Sequence, residues 1–372
     1  MIVASIESFP LRIPLRTATK APAVWGDKGL AAVDSLLIRV TTADGLHGWG
    51  EAFGFRATSS AKLALDEIVA PLCIGSDVSG VAPLMLELQK KLQVFGRNGA
   101  LFYALSALDI ALWDIAGKAA NMPLYRLLGG GAADLACYAS LTHFSDAGLV
   151  REETRRAVDA GFRSLKLHET DLSVIRAGRM EVGGDVELMV DVNCAWTLAQ
   201  ARQMADELKE LRLKWLEEPV WPPENFAALA ELRRGSGIAI AAGENVSTLM
   251  DFERLMAANA VDFVQPSAAK MGGISELRRV FPIAAIHNVA VTPHSFYDGP
   301  GLLAALHATA ALGSPDSVIE WRDVALEAQI YGDALSPHGG RISVPQGPGL
   351  GLEPDPEVIR AYTRAASTHA TH

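Results

Sequence analysis

Three acidic residues, each closing a short β-like run, recur at nearly constant spacing: Asp191 in Asp191-Val192-Asn193, Glu217 in Leu216-Glu217-Glu218-Pro219, and Glu244 in Gly243-Glu244-Asn245. The intervals are 26 and 27 residues. A strand, a crossover helix and their loops take about 30 residues, so this repeat places the acids at the ends of consecutive parallel strands, where carboxylates converge. Converging carboxylates repel one another unless a cation sits among them, and hard oxygen ligands suit a magnesium-like ion. Any one of these acids could be a helix cap or a surface charge; three in phase point to a metal site.

The same alternation extends beyond the three. Short apolar strands separated by helical stretches fall at 135–140, 164–168, 188–193, 214–217, 239–243, 262–266, 289–293 and 318–321. Eight strands of this kind call for a barrel. Before them, Ile2–Leu15, Ser35–Thr42 and Leu46–Phe53 read as an antiparallel meander with a turn at Ala43-Asp44-Gly45, and from Ser60 to about Leu128 the apolar period is helical until Gly129-Gly130-Gly131 stops it. The fold class is therefore α/β: a TIM-like barrel, modified to (β/α)7β, with an N-terminal α+β capping domain. The expected division is 1–128 for the cap, 129–340 for the barrel, and 341–372 for a segment returning to the cap.

In a barrel the reacting groups gather at the C-terminal strand ends. Read in order, these ends supply Lys166 and His168, Asp191 and Asn193, Glu217, Glu244 and Asn245, Ser267 with Lys270 nearby, His294, and Glu320. Alternation along the second strand points Lys166 and His168 the same way. The pair is more pointed than two basic residues taken at random.

Composition narrows the partners. A net charge of −10 argues against a nucleic-acid surface and gives no sign of binding to anionic membranes. No apolar run reaches the roughly 18 residues of a membrane helix. The N-terminal MIVASIESFPLRIPL alternates like a strand instead of resembling a secretion signal, and Cys73, Cys137 and Cys194 lie far apart without ligand spacing, which suits a reducing cytoplasm.

With these motifs in place, the chain resembles the enolase superfamily, in its mandelate racemase and muconate lactonizing branches. The likeness rests on the meander and helical cap, DVN, LEEP, GEN, Ala269-Lys270-Met271-Gly272-Gly273, and a histidine on strand seven. It implies that Asp191, Glu217 and Glu244 bind one Mg2+ per site, with Glu218 a neighbour. It further implies abstraction of the proton α to a carboxylate, through an enediolate. Lys166 matches the first lysine of a Lys-x-Lys pair that touches the carboxylate, and His168 takes the second position as the base. Glu320 matches a strand-eight acid expected to be protonated, hence raised in pKa. The family is commonly homo-oligomeric, often octameric.

Two departures from the family pattern stand out. Histidine replaces the second lysine, which keeps a base and adds a better proton donor to a leaving hydroxyl. Ser267 replaces the aspartate that racemase-like members pair with the strand-seven histidine, so His294 lacks its carboxylate orienter. Lys270 stands where lactonizing-type members place a strand-six base, and a Lys270/His168 pair rivals His168/His294. Specificity would come from cap loops near Thr17–Leu30, with Trp25, Asp27 and Lys28, and Ala52–Ser60, with Phe53, Phe55 and Arg56. With Asn193 and Asn245, Trp25, Asp27 and Arg56 are the candidate substrate contacts. The leading expectation is dehydration of an acid sugar to a 2-keto-3-deoxy acid. Racemisation or epimerisation, cycloisomerisation of a lactone or diacid, and a non-catalytic binder are the alternatives.

Overall fold

The structure, a computed structural model, describes residues 1–20, 29–131 and 134–370. The cap is a four-stranded antiparallel sheet built from β1 (Val3–Lys20), β2 (Gly29–Thr42) and β3 (His47–Ala52), with the chain terminus added at its edge. The β2–β3 turn places Gly45 at φ +89°, a left-handed conformation that costs glycine little. Register sets Ile38 opposite Gly50 and Val40 opposite Gly48, so one face of the sheet carries buried aliphatics beside two glycines.

Those glycines receive the helix Gly99–Ala119. A methyl group on Gly50 would lie 1.9 Å from the Ala107 carbonyl oxygen, and one on Gly48 would lie 2.2 Å from that of Ala111. Backbone blocks both positions, so Gly50→Ala is predicted to destabilise the protein by about 3 kcal/mol, the upper range for overpacking. A fall in the urea midpoint at unchanged slope would verify this; an unchanged midpoint would refute the packing argument.

This 21-residue helix is long and apolar enough to cross a membrane by length and composition, unlike any run noted in the sequence, and it is mostly buried here. Its carboxylates are internal ties. Asp114 accepts hydrogen bonds from the Trp49 and Leu350 N–H groups, at 2.9 and 2.8 Å, and pairs with Lys118 at 2.9 Å. Asp109 accepts from the Ser275 N–H at 2.9 Å, and Ser106 Oγ accepts from Gly272 N–H at 2.8 Å. The cap is thereby fixed onto the turn that carries Lys270.

The barrel strands are β4 (Asp134–Ser140), β5 (Ser164–Leu167), β6 (Glu187–Asp191), β7 (Leu216–Glu217), β8 (Ile240–Ala242), β9 (Phe263–Val264), β10 (Ala290–Val291) and β11 (Ile319–Arg322). They pair in parallel in the order β10-β9-β8-β7-β6-β5-β4-β11, with a helix after each strand up to β10. At the seam between β10 and β11, Ser295 bridges instead. Its N–H reaches Glu320 Oε2 at 3.1 Å, and its hydroxyl reaches the Glu320 carbonyl at 2.9 Å. β12 (Arg341–Ser343) pairs antiparallel with β4, and β13 (Ser367–Ala370) pairs with β1. Tyr138, Met189, Trp215 and Ala241 fill the barrel interior with apolar bulk.

Candidate active site

Asp191 and Glu217 end their strands and Glu244 lies two residues past the end of β8, and ligand oxygens of the three lie within 4.8 Å of one another. The local backbone is unusual there: Asn193, Cys194 and Glu218 all have positive φ, between +46° and +58°. Such conformations cost non-glycine residues energy and concentrate at functional sites. Turning after the acid lets Asn193 N–H bond Asp191 Oδ1 at 2.8 Å, which orients the carboxylate. Trp215 Nε1 does the same for Glu217 Oε2 at 2.8 Å.

Lys166, fully buried, lies among the carboxylates. Its Nζ is 2.6 Å from Glu217 Oε1, 2.8 Å from Glu320 Oε1 and 3.4 Å from Asp191 Oδ2. Burial by itself would lower the pKa of this lysine, but the surrounding carboxylates raise it well above the ordinary value. It is a fixed cation. The acids divide accordingly. Burial would raise Asp191 and Glu244, yet Lys166 and His168 hold Asp191 below the usual range, and His294 and Lys270 do so for Glu244. Glu217, in contrast, is pushed well up by burial and by its neighbours Asp191 and Glu320. Glu217 is the acid these cations leave uncompensated, and a divalent cation among these oxygens would complete the charge balance.

Glu320 corrects a sequence expectation. Burial would raise it, but Lys166 and His294 hold it below the ordinary value instead of leaving it protonated. Besides Lys166, it accepts from Ser140 Oγ at 2.8 Å and Ser295 N–H at 3.1 Å, and donors stabilise the ionised form.

Two histidines stand at opposite ends of the acidic row. His168 Nε2 is 3.3 Å from Asp191 Oδ2, and its Nδ1 lies 2.5 Å from the Leu141 carbonyl. His294 Nε2 is 3.0 Å from Glu244 Oε2, and its Nδ1 lies 3.4 Å from Ser267 Oγ. Lys270 Nζ is 3.6 Å from Glu244, donates to Asn245 Oδ1 at 3.2 Å, and sits 4.7 Å over the Phe53 ring. Asn245 also donates to both oxygens of Glu218, at 2.9 and 3.1 Å, which turns that acid toward Asn245.

Above the carboxylates opens a cavity of about 670 Å³. His168, His294, Lys270, Asn193, Asn245 and Arg56 all line it, while Lys166 and Glu320 lie buried beneath. Phe53 and Phe55 join them from the cap. Trp25, Asp27 and Lys28 fall outside the described residues. Among the lining residues not anticipated from the sequence are Arg322 and Tyr297. Arg322 is buried, stacks 5.2 Å over Phe296 and pairs with Asp298; burial lowers its pKa to about 10, so it stays cationic at neutral pH. Strand alternation from Glu320 could have exposed it, being two residues on. For Tyr297, three residues past His294, the sequence carries no such signal.

This fold and site define a barrel enzyme built around a carboxylate-held cation. The model of the mandelate racemase/muconate lactonizing enzyme N-terminal domain matches residues 11–129, and that of the enolase C-terminal domain-like family matches residues 149–358. The chain belongs to the mandelate racemase/muconate lactonizing enzyme family of the enolase superfamily, and its cofactor is Mg2+. It is 31% identical to an arabinonate dehydratase of Saccharolobus solfataricus, over 90% of this chain and 92% of that one. It is 29% identical to a D-galactarolactone cycloisomerase of Agrobacterium fabrum, over 88% and 90% of the two chains. Among solved structures, the L-talarate dehydratase of Polaromonas sp. JS666 complexed with Mg and L-glucarate superposes with a TM-score of 0.85 at 25% identity, covering 100% of both chains.

Proposed function

We propose that this enzyme dehydrates an acid sugar to a 2-keto-3-deoxy acid. The observation that carries this reading is the pair of histidines, His168 and His294, at the two ends of the acidic row, both facing one cavity. Asp191, Glu217 and Glu244 would hold Mg2+, which when bound supplies positive charge to the substrate carboxylate. His168 is the base. A carbonyl oxygen can only accept, so Nδ1 keeps its hydrogen toward Leu141 and Nε2 is the nitrogen that takes the α-proton. Lys166 neutralises the buried carboxylates and supports the charge that grows on the substrate. Loss of the β-hydroxyl, protonated by a histidine, then gives an enol that ketonises. Asn193, Asn245 and Arg56, which line the cavity, would contact the hydroxylated chain, and Arg322 adds a further cation to the cavity wall.

The test is incubation with Mg2+ and a panel of acid sugars in D2O, following keto acid and α-deuterium by NMR, with an EDTA control. A metal-dependent keto acid is the expected result; α-deuterium without keto acid would shift the reaction to racemisation or epimerisation.

Lys270 favours a second reading, cycloisomerisation or 1,1-proton transfer, because it also faces the cavity beside Glu244. On the dehydratase reading, Lys270→Ala should lower kcat/KM by about tenfold or less. A loss of about 10²–10⁴, the contribution of a general base, would make Lys270 the base. The same overall reading has the protein as a homo-oligomer in the cytoplasm, acting on a small carboxylate and not on nucleic acid or membranes. Net charge supports the absence of a nucleic-acid or membrane surface and three free cysteines support a reducing compartment, while light scattering would test the assembly and give its size.

A further inference from the structure

Behind His294 the expected carboxylate is replaced by two hydroxyls in series. His294 Nδ1 is 3.4 Å from Ser267 Oγ, and Ser267 Oγ is 2.5 Å from the Tyr297 hydroxyl. Ser267 and Tyr297 are buried, and among the described residues Ser267 is the one hydrogen-bond partner of the Tyr297 hydroxyl. Two hydroxyl hydrogens therefore have to be assigned along this chain. If Ser267 donated to Tyr297, the tyrosine hydrogen would have no acceptor among the described residues, a cost that native structures avoid. If Tyr297 donates to Ser267 and Ser267 donates to Nδ1, both hydrogens are used. The ring's own hydrogen then sits on Nε2.

His168 is backed in the opposite sense, by a carbonyl that requires a hydrogen on Nδ1. We infer that Tyr297 and Ser267 are positioning residues that hold His294 in the Nε2–H tautomer, so that His294 meets the substrate as a hydrogen-bond donor and both proton transfers fall to His168. The inference rests on the assignment of His168 as base. The steps balance at that one nitrogen. The α C–H bond breaks and its proton goes to His168 Nε2; the electron pair forms the enediolate. As the C–O bond at the β-carbon breaks, the departing hydroxyl takes the proton back from Nε2 and leaves as water, and His168 is again neutral.

Nitrogen-15 NMR of histidine-labelled, Mg2+-loaded protein reads the tautomer directly, with His168→Asn and His294→Asn variants to assign the signals. The wild type should show His294 with a bare Nδ1 and a protonated Nε2; a protonated Nδ1 would overturn the inference. Tyr297→Phe removes the first donor and should move His294 toward the Nδ1–H form, and an unmoved tautomer would remove Tyr297 from the role. Ser267→Asp supplies a carboxylate that accepts from Nδ1 and bares Nε2. In D2O it should therefore gain α-exchange on the second face, seen as the C2 epimer, with keto-acid formation slowed about tenfold. Wild type should form no epimer, whereas a merely structural role for Ser267 would slow product without creating one. If the wild-type tautomer is as inferred but no acid sugar yields keto acid, the dehydratase reading fails and the positioning role stands.

Discussion

His168→Asn is expected to abolish turnover, lowering kcat by about 10³, within the range set by loss of a general base. The expectation follows from one geometric fact: the Leu141 carbonyl, 2.5 Å from Nδ1, commits that nitrogen, and only Nε2 remains to exchange a proton at the cavity floor. Asparagine offers no basic nitrogen. Because abstraction precedes loss of the hydroxyl, α-deuterium exchange in D2O should disappear together with keto-acid formation. This separates His168 from a residue that acts later, whose removal would leave exchange intact. Exchange persisting within tenfold of wild type would transfer the base to Lys270. Stability should change little, since His168 stands at the cavity wall and not in the packed core.

The second large effect is predicted for Glu244→Gln, which should weaken Mg2+ binding by at least about 10² and reduce turnover by about 10³. Glutamine keeps the volume and one acceptor oxygen but removes a charge from a row whose three ligand atoms lie within 4.8 Å. The test needs no substrate. Mg2+ binding only the folded state stabilises it by RT ln(1 + [L]/Kd), about 2.7 kcal/mol at 100 times Kd. The wild type should therefore gain that much over EDTA, and the variant almost none at the same Mg2+ concentration. Equal gains in both would remove Glu244 from the ligand set.

The barrel was legible because parallel strands covered on both faces read as short apolar runs. The run read at 188–193 is β6 at Glu187–Asp191, and that at 239–243 is β8 at Ile240–Ala242. The meander was less legible: β2 begins at Gly29, in a stretch that reads as a cap loop. Nothing local distinguishes a strand end from a loop there, and pairing with β1 decides it. The helix Gly99–Ala119 shows the same limit, since its apolar surface is matched by glycines of β3 that lie far away in sequence.

By itself the sequence determined the βα repeat, the acids at its strand ends and the direction shared by Lys166 and His168, because periodicity and strand-end position are local properties of the chain. The tertiary structure alone decided the charge states and hydrogen positions. Glu320 is held ionised by a lysine 154 residues away in the chain, and Tyr297 takes up the hydroxyl of Ser267 from another strand end. Proton placement in a buried site depends on which donors and acceptors the fold brings within about 3 Å, and sequence spacing carries no record of that distance.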